Sequence, residues 1–391
     1  MNTNSSENSR DWASASDPGD TDQVAAYDAM RRRCPVAYSE SHGWSVFRHA
    51  DVRRILHDHE TYSNLVSRHI SVPNGMDPPE HATYRQIIEP YFNHDRMDAF
   101  EPTCRIVASE LVVKNIHRGC AVEAMGALAK PFAARIQCAF LGWPLSLHET
   151  LVRWVDAHHD ATRRADREVL AALACELDLL IEKQLRQRRD SKSKADSDLT
   201  AALMHERVDG RKLNNQEISS ILRNWTVGEV GTISASIGIL IHHLAVHPEH
   251  QTALRRDSSL LPAAIDEILR VHNPLHGNRR VTTCPVKLDK HSIAAGERIY
   301  LNWISANRDE SVFEDAGTVK FDRDPKDNLL YGAGIHVCPG APLARMEMRV
   351  FLQELFAHTQ SFRFQPQATV VPATDPESGY ASIPIHLQIE T

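Results

Sequence analysis

The sequence lacks what several broad protein classes require. Basic residues number 44 and acidic residues 51, a net charge of −7. No overall basic field exists to hold nucleic acid or an anionic membrane surface, so neither partner is expected. Charge interrupts the most apolar stretches before the ~20 residues of a bilayer span, so no membrane span is expected. The opening MNTNSSENSRDWASASDPGD contains no apolar signal region. The seven cysteines are scattered and no Cys-x-x-Cys occurs. That pattern indicates neither a disulfide framework nor a cysteine-rich zinc site. The expectation is a cytoplasmic protein.

What is present is a globular composition, 42% hydrophobic and 24% charged over 391 residues. That is long enough to bury a large core. Residues 1–20 are rich in Ser, Asn and Asp and are expected to be disordered. No linker or repeat splits the remainder, so 21–391 reads as one domain. Helical periodicity dominates from about Asp77 to His358. It predicts helices over 165–187, 215–246 and 261–272, and a last one from Ala341 to Ala357. The run 188–198 reads as a solvated polar loop. Strands are expected at Trp44–Phe47, in VTTCPVKL and in RIYLNW, with a turn at Ala295-Gly296. Helix 215–246 is apolar over much of its circumference and should be central. Its glycines at 228, 231 and 238 suggest a close approach to the backbone.

The most informative segment is Tyr331-Gly332-Ala333-Gly334-Ile335-His336-Val337-Cys338-Pro339-Gly340, directly before a helix. A cysteine there meets the positive end of the helix dipole and unpaired N–H groups, and both favour a thiolate. A thiolate with an open face is either a heme ligand or a nucleophile. The Gly-x-Gly is a weak dinucleotide-binding hint, because Val337 stands where a third glycine would. A zinc site from His336 and Cys338 lacks a second pair with ligand spacing.

This segment resembles the cysteine loop of the cytochrome P-450 family, Phe-Gly-x-Gly-x-His-x-Cys-x-Gly, with Tyr331 in place of Phe. Leu343-Ala344-Arg345 continues the match. Glu267-Ile268-Leu269-Arg270 fits the family's Glu-x-x-Arg, with Arg323 as third member of its buried network. Ala306-Asn307-Arg308-Asp309 and Asp77-Pro78-Pro79-Glu80-His81-x-x-x-Arg85 are similar to soluble bacterial members. The resemblance implies a mainly α fold, a single helical prism with a small antiparallel β region. It implies heme b (iron protoporphyrin IX) as cofactor with Cys338 as axial ligand. His81, Arg85, Arg280 and His336 would hold the propionates, with Gly332 and Gly340 against the heme. Arg279 competes with Arg280, and spacing to Val286 favours Arg280.

The implied activity is monooxygenation of a small hydrophobic organic substrate by hydroxylation or oxidative dealkylation. No flavin or iron–sulfur motif is present, so electrons would come from a ferredoxin and an NAD(P)H-dependent ferredoxin reductase. Arg345 and Arg349, one turn apart, are the expected docking cations. The resemblance places pocket contacts at Val227, Leu275, His276 and Ala381, with Asn224 and Ser382 as further polar candidates.

One departure matters. The family's distal helix carries Ala/Gly-Gly-x-Asp/Glu-Thr. Aligned on Gly228, this chain has Val230 at the acid and Gly231 at the threonine. Glu229 and Thr232 each lie one residue away, about 100° around a regular helix. Either a π-bulge brings Glu229 or Thr232 to the oxygen site, or protons arrive by water, substrate or another side chain. The displacement leaves open a peroxide-driven oxidase and, more remotely, a non-catalytic heme-binding protein.

Overall fold

The computed structural model describes residues 23–67, 69–118, 120–373 and 378–389. The disorder expected for residues 1–20 lies outside them. The central helix runs from Asn215 to Val246 in three parts: α over Asn215–Val227, π over Gly228–Ile233 and α over Ser234–Val246. A capping box sets its start. The Asn214 side chain accepts from the Glu217 N–H at 3.0 Å, and the Glu217 carboxylate accepts from the Asn214 N–H at 2.7 Å. It stops at His247 because Pro248 cannot continue it.

Ile237, Ile239, Leu240, Ile241 and Leu244 of this helix are each at most 1% exposed. Burying each such side chain stabilises the fold by roughly 1.5–3 kcal/mol. By length and composition the helix could cross a membrane, which corrects the reading from charge interruptions. Most of it is nevertheless inside the protein, against helices Lys130–Leu141 and Leu261–Val271, as a core helix is. A Cβ on Gly238 would run into the Met125 thioether, so this glycine admits a close crossing by the π-helical turn Met125–Ala129.

The other predicted helices form at Arg167–Asp190, Leu261–Val271 and Ala341–Ala357. The run 188–198 is not wholly solvated. Arg188 is buried and donates to Asp198 at 2.8 Å and to the Gly142 carbonyl at 2.7 Å. The segment VTTCPVKL is split between strands Gly277–Thr282 and Val286–Leu288, and Val286–Leu288 pairs with His291–Ile293, which the pattern did not show.

The main sheet has five strands in the order Val36–Ser39, Gly43–Val46, Arg298–Asn302, Gly277–Thr282, Tyr62–Ser63. Its pairings are antiparallel except Arg298–Asn302 with Gly43–Val46, which is parallel. The parallel pair is possible because some 250 residues of helical chain intervene, far more than a crossover needs. Helix Ala341–Ala357 packs along His94–His117 and against the central helix, and the cysteine loop lies at its start.

Candidate functional site

The loop holding Cys338 is built by three local devices. The Cys338 N–H donates to the Tyr331 carbonyl at 2.9 Å and closes it. Gly334 takes φ +70°, and a Cβ there would run into the Leu56 carbonyl, so only glycine fits against helix His49–His57. Pro342 occupies the first turn of helix Ala341–Ala357, where its missing N–H costs nothing. Gly332 also has positive φ, +75°. Gly340 has ordinary backbone, and its Cβ position lies 3.8 Å from Cys338 Sγ, beside the sulfur. Neighbouring protein around the sulfur pushes the thiol up although Cys338 is open to solvent, while the Gly340 and Ala341 N–H groups and the Arg85 charge favour the thiolate. A cation bound at the sulfur would remove that penalty.

Tyr331 lies under the Arg345 guanidinium, 4.4 Å from the ring centroid. Its hydroxyl is buried with no hydrogen-bond partner among the described residues.

The four residues expected to hold carboxylates are brought together. The His81 and His336 rings lie 4.2 Å apart between centroids. Nε2 of each is buried without a hydrogen-bond partner. Burial pushes His336 down to about 3, helped by His81 and the charges of Arg280 and Arg85. Burial lowers His81 as well. Arg280 is 6% exposed and its charge bears on His336, whereas Arg279 is exposed. Burial lowers Arg280 to about 10. Arg85 pairs with Glu89 at 2.8 Å. Two orphaned imidazole nitrogens beside two guanidiniums form a site for a buried dianion. The residues present therefore fit a heme with two propionates.

The Glu-x-x-Arg pair is a buried network. Arg270, fully buried, donates to Glu267 at 2.7 and 2.8 Å and to the carbonyls of Asn307 and Ala316 at 2.5 and 2.9 Å. Arg323 adds a bond to Glu267 at 2.8 Å. Helix Leu261–Val271 is thereby fastened to the meander that delivers the cysteine loop.

The central helix is π-helical at Gly228–Ile233, the local irregularity that its glycines permit. The Thr232 hydroxyl donates to the Gly228 carbonyl at 2.5 Å. This places Thr232 on the face of Gly228, whose Cβ position meets no atom within 4 Å. Read one residue later, the family pattern puts its threonine on Thr232 and its acid on Gly231. A Cβ on Gly231 would lie 3.7 Å from the His159 imidazole. Glu229 turns toward helix Ala341–Ala357, and its charge also bears on Cys338. Its carboxyl meets Glu347 of helix Ala341–Ala357. The extra residue in the π-turn rotates Glu229 into the seam between the two helices. Glu229 Oε1 and both Glu347 oxygens are buried with no hydrogen-bond partner among the described residues. Burial raises Glu229 to about 7 and Glu347 well above the carboxylate range.

Three further expectations change. His276 is buried and its Nδ1 contacts the Tyr27 hydroxyl at 3.2 Å, so the ring joins the packing of helix Gln23–Arg33 rather than a pocket wall. Asn224 donates to the Val72 carbonyl at 3.0 Å, and Ser220 Oγ accepts from the Val72 N–H at 2.8 Å. These side chains fasten the loop 64–76 to the central helix. Arg345 is paired with Asp266 at 2.8 Å and Arg349 with Glu101 at 2.5 Å, so each expected docking cation is already committed to an acid. Val227 packs partly buried on the core, while Leu275 and Ala381 are exposed. Sequence reading missed Glu347 and His159. Glu347 had a signal, an acid between Met346 and Met348 on an otherwise apolar helix. His159 had none.

The chain matches the family model described as Cytochrome P450 over residues 143–390. The erythromycin C-12 hydroxylase of Saccharopolyspora erythraea is 31% identical over 359 residues, 87% of this chain and 88% of that protein. A probable cytochrome P450 127A1 from Sinorhizobium fredii is 30% identical, covering 85% and 81%. The structure of a P450 EryK mutant with erythromycin B superposes with TM-score 0.84 at 27% identity, covering 93% and 95% of the two chains. CYP109E1 from Bacillus megaterium with testosterone gives TM-score 0.83 at 26% identity, covering 93% and 99%. On the cysteine loop, the carboxylate-binding cluster, the fold and these matches, the chain belongs to the cytochrome P450 family, monooxygenases that bind heme b through a cysteine thiolate.

Proposed function

We propose that the chain hydroxylates or epoxidises a large, mainly apolar alicyclic molecule of macrolide or steroid type. Cys338 would hold the heme iron, and His81, Arg85, Arg280 and His336 its propionates. Bound heme supplies activation of dioxygen for insertion into a substrate bond. The protein supplies everything else. Thr232 Oγ1 holds a proton on the open face of the π-turn, and the His159 imidazole stands beside Gly231, where the family's acid would be. The substrate side is supported by apolar groups left outside the core. Leu65 and Ile70, in the loop fastened to the central helix, are 61% and 41% exposed. The relatives include a mycinamicin IV hydroxylase/epoxidase and a vitamin D3 dihydroxylase. Electrons would come from a separate ferredoxin and its reductase in the cytoplasm.

The observation that carries this reading is the pairing of an open thiolate loop with an orphaned dianion site. The test is a ferric Soret titration of the heme-loaded protein against macrolides, steroids, fatty acids and small aromatics. The reading expects a low- to high-spin shift with macrolides or steroids; a shift confined to fatty acids or small aromatics contradicts it. Glycine at the acid position favours a second reading, peroxide-driven turnover. Product formed from H₂O₂ but not from NADH with ferredoxin and reductase would establish that one.

A further inference from the structure

The C-terminal end of the central helix carries a histidine cluster that the oxygenase chemistry does not use. His243 lies on the last turn of Ser234–Val246, His247 at the break, and Glu249 and His250 in the first turn of Pro248–Arg256. Along the helix this is 15 residues from Thr232, about 22 Å at 1.5 Å per residue. Ring centroids separate by 4.4 Å for His243–His247, 5.1 Å for His247–His250 and 5.2 Å for His243–His250. One ligand atom from each of His247, Glu249 and His250 lies within 4.8 Å of the others. His247 Nδ1 stands 3.0 Å from the Glu249 carboxylate. Behind them, His243 Nε2 and His250 Nδ1 share a hydrogen bond of 2.9 Å.

We propose that this helix junction is a Zn²⁺ site, with His247, Glu249 and His250 as ligands and buried His243 orienting His250. Two imidazoles and a carboxylate are the donor set zinc takes in tetrahedral sites that keep a fourth position for water. Three ligands within four residues are pre-positioned by the Pro248 helix start, so little chain entropy is lost on binding. The His243–His250 bond is the kind of outer partner that holds a ligating ring in one tautomer. His247 and Glu249 are 41% and 64% exposed at the side chain, which leaves an entry path from solvent.

The test uses untagged, heme-loaded protein, equilibrium dialysis against ZnCl₂ with elemental analysis, and calorimetric titration. The site predicts one tight zinc per chain, absent from His247→Ala/His250→Ala, and a zinc-dependent rise in Tm seen only in the unsubstituted protein. His243→Phe is expected to weaken binding about ten- to a hundredfold while keeping the stoichiometry. Glu249→Gln, at an exposed position, checks the ligand role without risk to folding and should also weaken binding. Heme content and the metal-free Tm confirm that each variant is folded. Equal zinc uptake by the double variant, or no tight zinc in the unsubstituted protein, overturns the proposal.

Discussion

Glu229 lies off the family's acid position in either register, and the structure gives it other surroundings. Its carboxyl lies against Glu347, and Glu229 Oε1 and both Glu347 oxygens are buried without a hydrogen-bond partner among the described residues. Burial is the leading cause of both raised values. Unfolded, a glutamate releases its proton near 4.5, whereas folded Glu229 keeps it to about 7. The native state thus binds more protons than the unfolded chain in that window, so stability falls as pH rises through it. Glu229→Gln removes part of that loss. It should raise stability on the order of 1–3 kcal/mol at pH 8 and change it little at pH 5, read by thermal unfolding at both values. An equal effect at both pH values would show that the carboxyls do not share a proton. Cys338 is the opposite case, since its role was legible from neighbouring glycines, a histidine and a following helix start.

At the scale of elements, the central helix decides the distal chemistry. Its extent was readable from apolar periodicity and Pro248, and its glycines pointed to irregularity. Which residue the irregularity would turn inward was not readable. A π-turn shifts every later side chain, and the shift depends on packing against Met125, His159 and Glu347 from distant elements. For the same reason His276 was misplaced: its partner Tyr27 is 249 residues away. The Thr232 reading predicts that Thr232→Val keeps heme binding and the substrate-induced spin shift. Its product yield per NADH should fall by about a hundredfold, with hydrogen peroxide released instead. His159→Phe should lower the yield in the same direction. Unchanged coupling in both variants would mean that protons reach the site without either side chain.

At the scale of the molecule, the helical prism was legible through the family resemblance, which rests on short motifs such as the cysteine loop and Glu267-x-x-Arg270. Strand pairing was less so. The parallel contact of Arg298–Asn302 with Gly43–Val46 joins segments some 250 residues apart, and no local signal encodes it. The commitment of Arg345 and Arg349 to Asp266 and Glu101 was hidden for the same reason. What the whole fold accomplishes is to hold one sulfur beside two orphaned imidazoles and two guanidiniums, with the helix that follows the sulfur packed on the π-turn. The most direct measurement of that account is the absorption spectrum of the reduced carbon monoxide complex, for the heme-loaded protein and for Cys338→Ser. The unsubstituted protein should show the red-shifted Soret band of thiolate ligation, and Cys338→Ser should lose it while remaining folded. The same red-shifted band in Cys338→Ser, or its absence from the unsubstituted protein, would contradict the assignment of Cys338 as the ligand.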